Sequence, residues 1–417
     1  MICLIPIGLV FGPLIPELII LICTALIIYA KFNNLITFNI NYNFIKINIV
    51  VWFVLLVSSF LSNDIFYSLK NSFFYFRFFI LSIIISIIFQ NNENIVKQFY
   101  NYLLTTFLIV AFFALLQLIF INYPDIGLFF YKLTHLQFNQ DLKLKRISGL
   151  FGEELIMGSF VIRLTPLYFG LFFYLKDKLS AKSHFFFYTT IILNLIMLML
   201  AGERTTLAML FIFLSFLFVI FYKFLNFRKV FLIFSILILF ISSFLYFNKT
   251  TRFRLLEHTY YEQMYKDNRL HIFSEQHEYQ YKAAWKMYLA NPVFGIGPKN
   301  YRKECSNIRY YDDTIPLSNN GPMSCTTHPH NIPIQIMAET GTVGLIIYII
   351  ILTTLTYKII LSIRNYNNNK MAKFNILIIT GILMNLFPFI PSGNIFNNWL
   401  MIILFTPIGM LFMHQKK

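Results

Sequence analysis

Long apolar runs, each bounded by a short polar piece, recur along almost the whole chain, and this alternation constrains the fold more than any other feature. A run of about 18 or more apolar residues is long enough to cross a bilayer as a helix. Such runs fall at 13–30, 46–61, 71–89, 102–121, 154–175, 185–201, 205–222, 230–247, 334–359, 374–390 and 397–413. Residues 1–11 are apolar but short, and Gly12-Pro13 breaks them from the next run. They lack the basic start and small-residue cleavage site of a signal peptide and count as a short first helix. The expectation is an all-α polytopic membrane protein with about 12 transmembrane helices. Charged residues make up only 12% of the chain, against roughly 25% in a soluble domain. The net charge of +16 is scattered between apolar runs rather than gathered on one wet face, so no nucleic-acid partner is expected.

Lysine and arginine in short loops concentrate on the cytoplasmic side of a membrane protein. One alternating set of loops holds fifteen of them, among them Lys31, Lys97, Lys176, Lys182, Lys229, Arg364 and Lys370, and the opposite set holds six. The richer set marks the cytoplasm, which places both termini inside and puts the one large polar segment, about 248–332 after helix nine, outside. The domain reading follows: 1–247 holds helices one to nine, 248–332 an outer loop, and 333–417 helices ten to twelve. Cys305 and Cys325 both lie in that loop, an oxidising place if the outer side is a bacterial periplasm. They read either as a disulfide or as two unpaired thiols.

Ionisable residues inside a span are expensive and mark functional positions by default. Glu17, Arg77, Arg163 and Glu339 lie within the assigned runs, each in the outer half, with Arg163 deepest at roughly 13 Å below its outer end. Glu153-Glu154 and the Glu203-Arg204 hairpin lie at the same rim. A one-sided distribution points to a polar cavity opening outward; the alternative is a set of buried ion pairs, such as Arg163 with Glu154. The outer loop carries five of the eight histidines, His258, His271, His277, His328 and His330. It opens on the basic aromatic stretch Thr251-Arg-Phe-Arg254 and contains an amphipathic helix at about 274–290, suited to the membrane surface with Trp285 at headgroup level. Turn residues follow, from Asn291-Pro292 to Gly297-Pro298; Gly295-Ile-Gly297 follows no strand and is no dinucleotide fingerprint. Asp312-Asp313 reads as a solvated turn. The chain re-enters the membrane through His328-Pro-His330-Asn331-Ile-Pro333, with Pro333 suited to the first position of a helix. His330 and Asn331 then flank a positive helix end, which disfavours the imidazolium and suits a general base. A histidine there is otherwise a cap or packing residue.

Four ordered elements resemble the O-antigen ligase and O-antigen polymerase superfamily of bacterial envelope glycosyltransferases. They are Arg146-Ile-Ser-Gly149-Leu-Phe151, Ala201-Gly202-Glu203-Arg204-Thr205-Thr206, Asn291-Pro-Val-Phe-Gly295-Ile-Gly297, and His330-Asn331-Ile-Pro-Ile-Gln335 followed by Glu339-Thr-Gly341-Thr-Val-Gly344-Leu345. Glu203 departs from the pattern, which usually has a small residue before the arginine. The resemblance implies an inverting glycosyltransferase of the inner (plasma) membrane with its site facing the periplasm. The donor is an undecaprenyl-pyrophosphate-linked glycan; the acceptor is a glycan or lipid A–core oligosaccharide for a ligase, or a second lipid-linked repeat for a polymerase. No metal or other cofactor is implied. Arg204 is the expected stabiliser of the departing pyrophosphate and His330 the base, with Glu339 orienting or replacing it. Arg163, Arg146, Arg254, Arg77, Glu154, His328 and Asn331 are the expected substrate contacts, and membrane lipids surround the whole. A transporter of lipid-linked oligosaccharide is the competing reading. Transporters place their site near the midplane between repeated halves, and no internal repeat is visible.

Overall fold

The computed structural model describes residues 1–35, 42–90, 92–123, 125–127, 146–222, 227–266, 269–270, 273–311, 314–318, 321–364 and 370–413. In chain order the helices are α1 (Ile5–Val10), α2 (Leu14–Phe32), α3 (Tyr42–Phe60), α4 (Ile65–Phe73), α5 (Phe76–Phe89), α6 (Glu93–Asn122), α7 (Met157–Leu175), α8 (Ala181–Ala201), α9 (Arg204–Tyr222), α10 (Phe227–Phe247), α11 (Lys249–Arg252), α12 (Glu275–Ala290), α13 (Tyr301–Glu304), α14 (Ile332–Arg364), α15 (Lys370–Asn385) and α16 (Asn398–Met410). A π-helix follows α11 at Phe253–Met264, 3-10 helices lie at Ile2–Leu4, Gly149–Phe151 and Lys176–Lys178, and there are two antiparallel hairpins of two-residue strands: β1 (Tyr265–Lys266) pairs with β2 (Arg269–Leu270), and β3 (Leu317–Ser318) with β4 (Gly321–Pro322).

Seven described helices are long and apolar enough to cross a membrane: Leu14–Phe32, Tyr42–Phe60, Ile65–Phe89, Glu93–Asn122, Met157–Lys178, Ala181–Ala201 and Ile332–Arg364. An eighth is added if Phe231–Phe247 and Lys249–Tyr261, bent by 102°, form one span. The bend has a local cause: the Asn248 side chain accepts from the Thr251 amide at 3.0 Å and so caps a new helix. The remaining expected spans are α9, which runs 19 residues from Arg204 to Tyr222, and shorter pieces. Asn398–Met410 is an apolar helix below spanning length, 374–390 is covered only to Asn385, and 1–11 folds as a 3-10 turn and the six-residue α1. Twelve crossings would require all of these to cross as well.

The chain forms two compact units. The first comprises Met1–Glu17, Glu93–Glu262 and Ile363–Met384. Its core is aromatic: Tyr100 of α6 stacks on Tyr168 of α7 with centroids 5.3 Å apart, and Phe172 stacks on Phe187 of α8 at 3.5 Å. Pro166 interrupts the hydrogen bonding of α7, and Gly381 of α15 lies against it, since a Cβ at 381 would stand 2.9 Å from the proline ring. Gln117 of α6 accepts from the amides of Ser148 and Gly149 at 2.9 and 2.7 Å. This fixes the chain that follows Arg146.

The second unit comprises Leu18–Asn92, Gln263–Ser362 and Asn385–Lys417. Here α5 packs on α16, with Ser82 Oγ donating to the Phe405 carbonyl at 2.7 Å. Serines close the α3–α4 contact, where Ser59 Oγ donates to Ser72 Oγ at 2.6 Å. The segment before and into α14 builds its own core from Ala284, Met287, Ile296, Tyr301, Cys305, Tyr310 and Ala338. The expected helix at 274–290 is α12, and its buried face, Tyr279, Gln280, Ala283, Ala284 and Met287, packs into this core while Trp285 stays exposed. Cys305 and Cys325 are bonded, with Cα atoms 5.1 Å apart and a separation of 20 residues.

The turn at 291–297 runs along a break in α14. Gly341 adopts φ 67°, ψ −163° inside the helix, and the freed backbone groups pair outward. Ile296 N donates to Ala338 O and Gly297 N to Glu339 O, both at 3.0 Å, and Thr342 N donates to Pro292 O at 2.8 Å. Ser58 Oγ donates to both strands of this joint, at 2.6 Å to Phe294 O and 2.8 Å to Glu339 O. Cβ atoms on Gly295 or Gly341 would collide with the opposite backbone. The two glycine motifs of the sequence are thus the two sides of one joint.

Candidate functional site

The first unit gathers the arginines. Helix α8 ends at Ala201, Gly202 takes a left-handed conformation with φ 60°, and α9 begins at Arg204, so Glu203 occupies the connection. Its carboxylate turns to the first turn of α7. Oε1 accepts from Gly158 N at 2.9 Å, and Oε2 from Ser159 N at 3.1 Å and Thr206 Oγ1 at 2.8 Å. A helix N-terminus favours an anion through its free amides and dipole. The fit requires glycine at 158, because a Cβ there would lie 2.9 Å from both Ala201 Cβ and Thr206 Oγ1. Arg146 closes the group: Nη2 is 3.7 Å from the Glu203 carboxylate and donates to Leu155 O at 2.9 Å, and Nε donates to Ala201 O at 3.1 Å. Arg163 is buried, donates from Nε to Ser159 Oγ at 3.1 Å and is attracted by Glu203. Burial pushes the Glu203 carboxyl up, against Thr206, Arg146 and the amides of Gly158 and Ser159. Burial likewise lowers Arg146, with Glu203 opposing and the charges of Arg254 and Arg204 reinforcing.

Arg204 and Arg254 are placed differently. Arg204 is exposed at the start of α9. Arg254 follows α11, its Cδ and Nε 3.7 Å from where a Cβ on Gly202 would stand. The two charges act on each other, and the Arg254 Nε is buried without a hydrogen bond. Among the described residues neither has an acidic partner at ion-pair distance, whereas neighbouring Arg252 is taken by Glu257 at 3.2 Å. Two guanidiniums near enough to act on each other, one with a buried unused Nε donor, suit an anionic oxygen ligand. Glu154 is exposed, so the alternative of a buried Arg163–Glu154 pair gives way to Arg163 with Ser159 and Glu203.

The second unit gathers the histidines. Helix α14 begins at Ile332, one residue earlier than expected, and Asn331 caps it by accepting from Ile334 N at 3.2 Å while donating to Pro388 O at 2.8 Å. His330 has φ 51°, a left-handed conformation held from outside by Ser392 N donating to its carbonyl at 2.8 Å. Its ring lies 4.1 Å from that of His328 and 5.6 Å from that of His277, centroid to centroid. His328 is buried with both ring nitrogens engaged, Nε2 with Ser392 O at 2.9 Å and Nδ1 with Thr327 Oγ1 at 2.8 Å. Burial, reinforced by His330, pushes it down to about 3. His330 is only half-buried; burial lowers it below the usual imidazole value, opposed by a backbone hydrogen bond at Ser392.

Glu339 is fully buried two turns below His330. It accepts from Tyr301 N at 3.0 Å and from Gln335 Nε2 at 2.9 Å, and Gln335 also donates to Asn394 Oδ1 at 2.8 Å. Its described partners thus hold the joint and the returning loop at 394, and His330 is not one of them. Arg77 donates to Asn398 Oδ1 and Phe74 O, both at 2.7 Å, tying α5 to α16. Two residues of these groups are named from the sequence without a role. His277, held by Ser274 Oγ at 2.9 Å, had no signal beyond lying in the histidine-rich loop. Glu203 had one, as the departure from the family pattern. His258 lies 6.0 Å from the Phe253 ring in the first unit; His271 and Asp312-Asp313 lie outside the described residues. Among the described residues no group of three or more His, Cys, Asp and Glu side chains is arranged to hold a metal.

A family model described as O-antigen ligase matches residues 189–349. No curated protein matches the chain. The matched stretch contains Glu203, Arg204, Arg254, His277, His328, His330 and Glu339. Over that segment the chain, a multi-pass helical membrane protein, is similar to the O-antigen ligase family.

Proposed function

We propose that the protein is an inverting glycosyltransferase of a bacterial inner membrane that moves a glycan from undecaprenyl pyrophosphate to an acceptor sugar, lipid A–core oligosaccharide in the ligase form. The observation that carries this reading is the Arg204–Arg254 pair, which lacks an acidic partner among the described residues and lies inside the matched stretch. In the reaction the acceptor hydroxyl loses its proton to the neutral imidazole of His330. Its oxygen bonds to the anomeric carbon from the face opposite the phosphate, the carbon–oxygen bond to pyrophosphate breaks, and the lipid pyrophosphate leaves with the electron pair. Arg204 and Arg254 stabilise the charge that develops on it. Pyrophosphate is already a good leaving group, so the reading requires no metal. The lysine and arginine asymmetry supports cytoplasmic termini and a periplasmic position for Arg204, Arg254 and His330.

The test is transfer in proteoliposomes holding the purified chain and undecaprenyl-pyrophosphate glycan, with EDTA present. Product on lipid A–core oligosaccharide is the expected result. A ladder of longer lipid-linked glycans without added acceptor would make the protein a polymerase. Donor appearing on the opposite leaflet with no new glycosidic bond would overturn the enzyme reading.

A further inference from the structure

Glu203 brings a negative charge into a group otherwise made of cations. Its carboxylate takes the Gly158 and Ser159 amides and the Thr206 hydroxyl, all within 3.1 Å, and lies 3.7 Å from Arg146 Nη2. These are the donors with which a helix N-terminus and a guanidinium would bind a phosphate. The chain has reserved the space as well, since Gly158 leaves no room for a Cβ. The carboxylate attracts Arg146 and Arg163 and leaves Arg204 and Arg254 without an acidic partner among the described residues.

We infer that Glu203 is a resident anion: it fills the N-terminus of α7 and offsets Arg146 and Arg163, so that a pyrophosphate ligand is held by Arg204 and Arg254 alone and is released after transfer. The inference rests on the reading of that pair as the pyrophosphate site. Its functional logic is turnover. A ligand gripped by every available donor would be held as firmly in the product as in the transition state, and such uniform binding adds nothing to the rate. A fixed negative charge beside the pair weakens that grip.

The sign of the expected effect separates this role from a structural one. The full chain, purified in detergent, is titrated with inorganic pyrophosphate by equilibrium dialysis. Glu203→Gln keeps the shape and one acceptor oxygen but removes the charge, and it should tighten pyrophosphate binding by on the order of tenfold. Glu203→Asp keeps the charge and should stay within about twofold of the wild type. Arg146→Gln gives a test that does not depend on the folding of a Glu203 variant: it removes an already offset charge and should change binding by less than about threefold, while Arg204→Gln or Arg254→Gln weakens it by more than about tenfold. Weaker or unchanged binding in Glu203→Gln, or a loss in Arg146→Gln equal to that in Arg204→Gln, overturns the inference and leaves the pyrophosphate site standing. No binding by the wild type or any variant overturns both.

Discussion

At the scale of the residue, the proposed chemistry turns on how differently two neighbouring histidines are held. His328 has both nitrogens occupied and is pushed down to about 3, so it remains a neutral strut. His330 is half-buried and also lowered, which leaves the free base dominant at neutral pH. Transfer should therefore rise with pH through a single inflection below about 6.5, the unperturbed histidine value, and be flat above it; an inflection above neutrality in a rate–pH profile would remove His330 as the base. Stability has its own pH dependence. The unfolded chain protonates His328 near its ordinary value while the folded chain resists, so stability is lost as pH falls from about 6.5 toward about 3, by up to ~1.4 kcal/mol per pH unit. Melting in detergent across that window should show a slope that His328→Gln reduces.

Among the elements, the joint between the 291–297 turn and the broken helix α14 sets the position of everything around it. The backbone bonds of Ile296, Gly297 and Thr342 exist only because Gly295 and Gly341 allow the approach. Gly341→Ala, with φ 67° and a colliding Cβ, should cost about 2 kcal/mol or more and reduce expression and melting temperature together. The small core around Tyr301 and Cys305 depends similarly on its covalent tie. Breaking Cys305–Cys325, whose loop closes over 20 residues, should cost about 3 kcal/mol on the chain-entropy account, read as a lower melting point and a mobility change on reduction. Both elements were legible as motifs, but the contact between them was not: pairing of segments some 45 residues apart in sequence (Gly295 to Gly341) depends on backbone geometry that carries no local signal. Glu203 illustrates the same limit. Its oddness could be read from the sequence, whereas its engagement with Gly158 and Ser159 required α7 and α8 to be packed.

For the whole molecule, hydropathy made the helical membrane class readable, because a bilayer admits few ways to satisfy a backbone. Seven of the expected runs are helices long and apolar enough to cross a membrane. The 397–413 run was equally readable from hydropathy, although its helix, Asn398–Met410, is only 13 residues long. Of the proposed site the sequence offers residue types alone, and the structure places Arg204 and Arg254 in one group and His330 in the other. Arg146, expected to contact substrate, and Glu339, expected to orient or replace the base, also hydrogen-bond to neighbouring segments. Single-cysteine labelling from each side of the membrane should find residue 178 reactive from the cytoplasm and residue 285 from the periplasm, and the reverse pattern would invert the topology. The most direct test of the account is transfer of glycan from undecaprenyl pyrophosphate by Arg204→Ala, Arg254→Ala and His330→Ala proteins reconstituted beside the wild type. Each should lose at least about 100-fold in rate, the scale of a lost general base or charge-stabilising donor, while melting within a few degrees of the wild type. Near-normal transfer by all three would contradict the account.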